Sequence, residues 1–332
     1  MDMQNGKIVK GVGGKYTVRT SDGTRLVARA RGVFRHERIS PEVGDNVCLR
    51  IEENGDAYIE SIDKRKNLLI RPPMANLDIL FITAAAAKPA PVLSTLDKLS
   101  AICVHDGILP VFVITKCDLD PAGGAALAKL YKKSGFPAFT LRGLGEDADG
   151  ADGAGDADSA DSANGDCGDC GDCGEIAALR AFLAEHLPGK TAAFAGASGI
   201  GKSTLLNLLF PALALATGSI SEKIARGKHT TRHVELFEAD GGLIADTPGF
   251  SMLDFMRFDF MKVGDLADAF PDFAPYLGRC RYTKCTHLCE DGCAVCAAVA
   301  DGKIAASRHD SYVELYRILK EKKEWKKNGR FA

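Results

Sequence analysis

The sequence predicts a multidomain chain with an N-terminal β-barrel of the OB type, a central parallel α/β domain and a mostly helical C-terminal domain. Three observations carry this expectation. Residues 6–62 read as five short strands, KIVKG, KYTVRT, TRLVARARG, DNVCLRI and AYIESI, separated by Gly-Gly, Ser-Asp-Gly and Glu-Asn-Gly turns, the pattern of a small barrel. After Pro72-Pro73 the period changes to buried strand, helix, buried strand, with LDILFIT, an amphipathic stretch over 92–104, and PVFVIT, as a parallel sheet requires. Beyond residue 255, five of the 11 cysteines fall between positions 280 and 296, a clustering that points to metal rather than to disulfides. The expected boundaries are 1–66, 67–255 and 256–332.

The 332 residues allow more than one core, since domains run to about 100 to 200 residues. A hydrophobic fraction of 46% and a charged fraction of 26% are those of an ordinary soluble protein. The start MDMQNGKIVKG lacks the apolar segment of a secretory signal, and the longest apolar stretch, around 79–87, is too short to span a bilayer. A cytoplasmic location without membrane insertion is therefore expected. The net charge of -2 conceals an asymmetry, because residues 143–175 hold 11 acidic and no basic residues. Removing these from the 44 acidic residues leaves 33 against 42 basic ones, and a basic body suits a phosphate-rich partner. The 143–175 tract of Gly, Ala and Asp cannot bury a core and reads as a disordered insertion. Its cysteines, Cys167, Cys170 and Cys173, read as unliganded.

Taken in order, the barrel offers Arg29, Arg31, Arg35 and Arg38 around Phe34 and His36 between its third and fourth strands. Cations interleaved with an aromatic ring are what an oligonucleotide surface uses. In the α/β region a helix near 125–133 and the segment FPAFTL precede the acidic tract; the helix EIAALRAFLAEHL and the strand TAAFAGA follow it. The tail ends in a basic helix around YVELYRILKEKKEWKK.

The chemistry-bearing motifs lie in the central region. Gly196, Ala197, Ser198, Gly199, Ile200, Gly201, Lys202 and Ser203, with Thr204 after them, fit a phosphate-binding loop between a strand and a helix. Glycines let backbone N–H groups face the α and β phosphates at a helix N-terminus, Lys202 reaches the β and γ oxygens, and the Ser203 hydroxyl ligates magnesium. Asp246-Thr-Pro-Gly249 follows the apolar strand GLIA, which places a carboxylate to hold magnesium and the Gly249 N–H at the γ-phosphate. Between them, Arg226-Gly-Lys-His229-Thr230-Thr231 is a polar loop where a threonine completes the magnesium shell; spacing does not choose between Thr230 and Thr231. Upstream, Thr115-Lys116-Cys117-Asp118 ends PVFVIT and resembles the Asn-Lys-x-Asp element that reads guanine. A carboxylate at 118 accepts from N1–H and the exocyclic amine of guanine, whereas adenine would leave it unpaired. Thr115 stands where Asn is usual, so one supporting hydrogen bond is altered.

The order along the chain is base, phosphate, switch, magnesium. With the barrel before it and the cysteine cluster after it, this rotated order resembles the ribosome small-subunit-dependent GTPase family known as RsgA or YjeQ. The resemblance covers nearly everything except 143–175, and places the fifth GTPase motif near 139–141. It implies a circularly permuted GTPase with magnesium as cofactor. It implies monomeric action in late maturation of the 30S subunit and stimulation by that subunit, with ribosomal RNA held by the barrel and tail. Candidate phosphate contacts are Arg29, Arg31, Arg35, Arg38, Lys320, Lys322, Lys323, Lys326 and Lys327. In the cysteine cluster, Cys280, Cys285, His287 and Cys293 suit a closed tetrahedral zinc site, with Cys289 and Cys296 as alternative ligands; the resemblance favours the first four as one structural zinc. The residue after Gly249 is Phe250, which cannot orient the attacking water. His229 is the nearest polar candidate for that catalytic role, in keeping with the family. Two rivals are an RNA-binding scaffold without significant hydrolysis, and an ATPase or nucleotide kinase, which Asp118 disfavours.

Overall fold

The computed structural model describes residues 2–32, 34, 39–70, 73–143, 171–211, 234–246 and 261–328, with residues 70, 171–173, 246 and 322–328 described by backbone alone. Five strands, β1 (Asp2–Val12), β2 (Lys15–Thr20), β3 (Arg25–Ala30), β4 (Asn46–Ile51) and β5 (Ala57–Ile62), form the barrel. They close in the order β1-β2-β3-β5-β4-β1, antiparallel except for β3 beside β5. Strand β1 makes closure possible because its first half, Asp2–Lys7, pairs with β4 and its second half, Gly6–Val12, with β2; Gly6 sits opposite both Thr20 and Val47. A side chain there would meet the Arg19 carbonyl at 2.6 Å. The register shifts between Ile8 and Lys10, and this bulge lets both Ile8 and Val9 enter the core.

A short hairpin of β6 (Leu68–Ile70) and β7 (Pro73–Ala75) leads into the α/β sheet, a pairing hidden in the sequence behind two prolines. The sheet consists of β8 (Ile79–Ala85), β9 (Leu109–Thr115), β10 (Ala138–Thr140), β11 (Thr191–Ala195), β12 (Glu235–Ala239) and β13 (Gly242–Asp246), in the order β10-β9-β8-β11-β13-β12. All neighbours are parallel except the β12–β13 hairpin. Successive side chains point to opposite faces. Ile79, Phe81, Val111, Val113 and Phe194 pack with Leu179 and Leu183 of α3 (Gly171–His186) and with Leu205 of α4 (Lys202–Leu209). Leu80, Ile82, Phe112 and Ile114 face Leu96 and Leu99 of α1 (Leu93–His105) and Leu127 and Tyr131 of α2 (Pro121–Lys133). Coverage on both faces explains the continuous apolar runs.

Several expectations are corrected in detail. Helix α2 begins at Pro121 rather than near 125, because Asp120 caps it through the Gly123 N–H at 2.8 Å and proline suits the first turn. The 143–175 tract was expected to be disordered throughout, yet Gly171 to Glu175 form the start of α3, where the Glu175 carboxylate accepts from the Thr140 N–H. Residues 144–170 lie outside the described residues. Strand β12 was not expected at all; it pairs with β1 at Lys10–Glu235, which joins barrel and α/β sheet into one.

The C-terminal region contains two 3-10 turns (Val263–Asp265 and Pro271–Tyr276), α5 (Ala294–Ala300) and α6 (Ala306–Asn328). Its core of Phe270, Phe273, Val295, Tyr312 and Leu315 also takes in Ala101 and Ile102 of α1. Beside it the guanidinium of Arg308 is completely buried, bonded to Asp97 of α1 at 2.8 Å and to Asp272 at 3.0 Å, with the Phe270 ring 4.5 Å away. Burial pushes the Asp97 carboxyl up, and the charge of Arg308 opposes it. Breaking such a buried pair from one side costs about 3–5 kcal/mol. Arg308→Met is therefore expected to lower the urea-unfolding free energy by about that amount, measured by circular dichroism.

Candidate nucleotide site and metal centre

Strands β8, β9, β11 and β13 run parallel, so their carboxyl ends share one edge of the sheet. Thr115 at the end of β9 lies opposite Ala85 at the end of β8. Ala192 pairs with Ile244, and carrying that register forward sets Asp246 level with Phe194, two residues before Gly196. The segments expected to read the base, hold phosphate and hold magnesium therefore end at one edge of the sheet although they are rotated along the chain.

The phosphate loop follows β11 directly and ends in α4. Gly199 and Gly201 have φ of 75° and 88°, which L side chains rarely adopt. Gly201 is the N-cap of α4, so Lys202, Ser203 and Thr204 occupy its first turn, where N–H groups are free to meet an anion. The Lys202 ammonium is half-buried and donates to the carbonyls of Gly196 and Ala197 at 2.8 and 2.6 Å. Burial lowers its pKa from the ordinary lysine value. Ser198 is exposed and Ile200 is buried beneath the loop.

Thr115, the departure from Asn, is buried and donates to the Ile200 carbonyl at 2.7 Å, so the hydroxyl ties the base motif to the phosphate loop. Lys116 is buried with φ of 55°, and its ammonium donates to the Lys88 carbonyl at 3.1 Å. Cys117 packs inward, where Gly124 makes room for its sulfur: a side chain at 124 would meet it at 2.6 Å. Asp118 is exposed and accepts from the Gly143 N–H at 3.0 Å, while the Cys117 N–H donates to the Leu141 carbonyl. The segment after β10 thus sits against the base motif, next to the expected fifth motif at 139–141. His229, Thr230, Thr231 and Gly249 lie outside the described residues, as does the side chain of Asp246.

In the C-terminal region the ligand atoms of Cys280, Cys285, His287 and Cys293 all lie within 4.8 Å of one another, so these four could hold a metal ion. The Cys280 and Cys293 sulfurs are 3.5 and 3.6 Å from His287 Nδ1. Cys293 is the N-cap of α5: its sulfur accepts from the Cys296 N–H, and Cys280 accepts from the Ala294 N–H, both at 3.4 Å. Burial works against the Cys293 thiolate, but hydrogen bonds from the Cys296 N–H and from the Cys296 and Cys285 thiols prevail and lower its pKa. The alternative ligands fall outside: Cys289 is exposed, and Cys296 points to the His287 carbonyl and to His309. Glu290, unmarked in the sequence, holds the ligand turn by accepting from the Thr286 and Leu288 N–H groups at 2.6 and 3.0 Å.

The basic surface is less complete. Arg29 and Lys320 are exposed, and Arg31 is paired with Glu60. Phe34, expected beside them as a stacking surface, is buried in the barrel core instead, because its apolar ring packs with the core residues of the strands. His36, Arg35 and Arg38 lie outside the described residues; Lys322, Lys323, Lys326 and Lys327 lie in α6 with side chains outside them.

A parallel sheet with a phosphate loop, a guanine-reading loop placed before it in sequence, and an aspartate at the adjoining strand end defines a circularly permuted GTPase. Comparison with known proteins agrees. The family model described as RsgA GTPase matches residues 62–149 and 175–256, and that of the RsgA N-terminal domain matches 5–59. The "Small ribosomal subunit biogenesis GTPase RsgA" of Bacillus subtilis is 35% identical over 97% of this chain and 99% of its own; that of Lactococcus lactis is 38% identical over 94% of each. Among solved structures, YloQ, "a circularly permuted GTPase", superposes with a TM-score of 0.72 at 31% identity, covering 97% of this chain and 96% of that one. YjeQ from Thermotoga maritima gives the same TM-score at 27% identity, covering 96% and 99%. The chain belongs to the RsgA GTPase family. The family match pauses over 150–174, within the acidic tract.

The metal cluster sits in a domain whose ligand loop has little apolar burial of its own, so chelation is expected to loosen it. Faster amide hydrogen exchange over 280–296, with unchanged GDP affinity, is the expected outcome on removing the metal.

Proposed function

We propose that this GTPase acts as a late maturation factor of the small ribosomal subunit, binding ribosomal RNA and hydrolysing GTP faster when the subunit is bound. The supporting observation is the convergence of the rotated motifs on one sheet edge in a chain that matches small-subunit biogenesis GTPases over nearly its full length. The working units are a barrel to about residue 66, the GTPase core to about 255, and the metal-bearing tail. The factor works as a cytoplasmic monomer. Arg29 and Lys320 are exposed cations available to RNA phosphates, whereas Arg31 would have to exchange Glu60 for a phosphate.

At the nucleotide site, the Gly196–Gly201 backbone offers a cradle that lies directly on β8, since a Cβ at 196 would run into Thr83 and Ile200. Lys202 balances phosphate charge, Asp118 reads guanine, and Lys116 braces the base. Ser203, Asp246 and one of Thr230 and Thr231 would hold magnesium, which when bound neutralises charge on the phosphates. Three thiolates and one imidazole in the tail suit a closed, structural zinc site. His229 orients the attacking water once the subunit orders its loop, since Phe250 offers no hydrogen bond.

Two outcomes test the reading. Lys202→Ala is expected to lower single-turnover GTP hydrolysis about 100-fold or more, since charge stabilisation at the phosphates is lost. His229→Ala is expected to lose most of the rate gained on adding purified small subunits while GTP affinity stays near that of the parent. Equal rates with and without subunits in the parent would refute stimulation and favour a scaffold.

A further inference from the structure

Thr83 lies in β8, outside every motif above, and is fully buried in a strand otherwise made of apolar side chains. A hydroxyl in such a place costs stability unless it is bonded, and valine would pack as well with a higher strand preference. The bond it makes is specific: Thr83 Oγ1 donates to the carbonyl of Ala195 at 2.8 Å, the last residue before the phosphate loop. The same residue sets how closely the loop approaches the sheet, since a Cβ on Gly196 would lie 2.1 Å from Thr83 Oγ1 and 2.7 Å from its carbonyl oxygen.

Thr115 makes the matching bond farther along, to the Ile200 carbonyl at 2.7 Å, and Lys202 takes the carbonyls of Gly196 and Ala197. One carbonyl at the entrance of the loop and three within it are therefore held by donors of the protein itself. In a trans peptide the C=O and the next N–H point in opposite directions. Anchoring the carbonyl of Ala195 thus fixes the direction of the Gly196 N–H, and anchoring that of Ile200 fixes the Gly201 N–H. A loop directed in this way loses less conformational freedom when it takes up an anion.

We propose that Thr83 is a positioning residue for the nucleotide polyphosphate, holding the entrance of the phosphate loop as Thr115 holds its crest. The proposal rests on the reading of residues 196–203 as the phosphate site.

The test measures the GDP dissociation constant and the KM and kcat for GTP in the full-length protein. Loss of one hydrogen bond to a preorganised loop corresponds to roughly five- to tenfold in affinity. Thr83→Val is expected to weaken GDP binding and raise KM by about that factor, with kcat changed by less than about twofold. Thr83→Ser, which keeps the donor, is expected to bind GDP as the parent does. If Thr83→Val folds poorly, Thr83→Ala and Thr83→Ser ask the same question: alanine weakens binding and serine does not. Parental GDP affinity in the variants without the hydroxyl, or serine as weak as valine or alanine, overturns the proposal. Lys202→Ala separates the two levels. If it too binds and hydrolyses as the parent does, the phosphate-site reading fails; if it is disabled while Thr83→Val is unaffected, only the positioning role falls.

Discussion

The parallel alignment of β8, β9, β11 and β13 is the constraint on which the site depends, because it brings four strand ends to one edge whatever their order in the chain. A GTP site needs a base reader, a phosphate cradle and a metal-holding carboxylate in fixed relative positions. It does not need them in fixed sequence order. Opening the chain between other elements leaves each loop at the end of its own strand, so permutation costs the crevice nothing as long as the strands keep their neighbours. The bonds between loops show how tightly this edge is knit: Thr115 reaches the phosphate loop, and Cys117 and Asp118 take up the backbone after β10.

Permutation leaves the barrel attached where it matters. Glu235 on β12 stands opposite Asp246 on β13 and opposite Lys10 on β1, whose ammonium it binds at 2.6 Å. One transverse row thus runs from the barrel, through the strand that follows the switch loop, to the aspartate of the magnesium motif. Arg19 and Arg25 reinforce it from the barrel side by pairing with Glu238 on the same strand. Lys7 adds a bond from β1 to the Thr191 hydroxyl at the start of β11. Sheet hydrogen bonds resist sliding, and exposed ion pairs alone contribute little. The barrel therefore meets this strand through one ladder pair, Lys10–Glu235, to which the surrounding charges add little.

Much of this was legible in the sequence wherever chemistry restricts the residue type. Phosphate loops require glycines and a lysine at fixed spacing, metal ligands require thiols and imidazole, and buried parallel strands require unbroken apolar runs. Features that depend on distant partners were not legible. ELFEA at 235–239 alternates too weakly to announce a strand; it forms a hairpin with β13 and also meets β1, more than 220 residues away, at Lys10–Glu235. Phe34 looked like an exposed ring among arginines, yet the barrel core claims it. Arg308 reads as one more cation in a basic helix, and nothing local reveals that Asp97 and Asp272 bury it. Thr83 passes for an ordinary strand residue until its acceptor is seen.

Helix α1 explains why the tail and the base-reading loop belong to one structure. Toward its C-terminal half, Ala101 and Ile102 complete the core of the metal-bearing region, and Asp97 and Ser100 receive Arg308. On the N-terminal side, the residues that join it to β8 include Lys88, whose carbonyl accepts from Lys116. Inside the domain the donors gathered by Glu290 hold the ligand loop, around a Cys280, Cys285, His287 and Cys293 cluster that could hold a metal ion. The buried Arg308–Asp97 pair acts between domains instead, with Asp272 of the tail holding the same guanidinium from its own side, so undocking would break a buried ion pair. Removing the metal and breaking the pairs therefore perturb the same region by separable routes: the first loosens the ligand loop, and the second unseats the domain from α1.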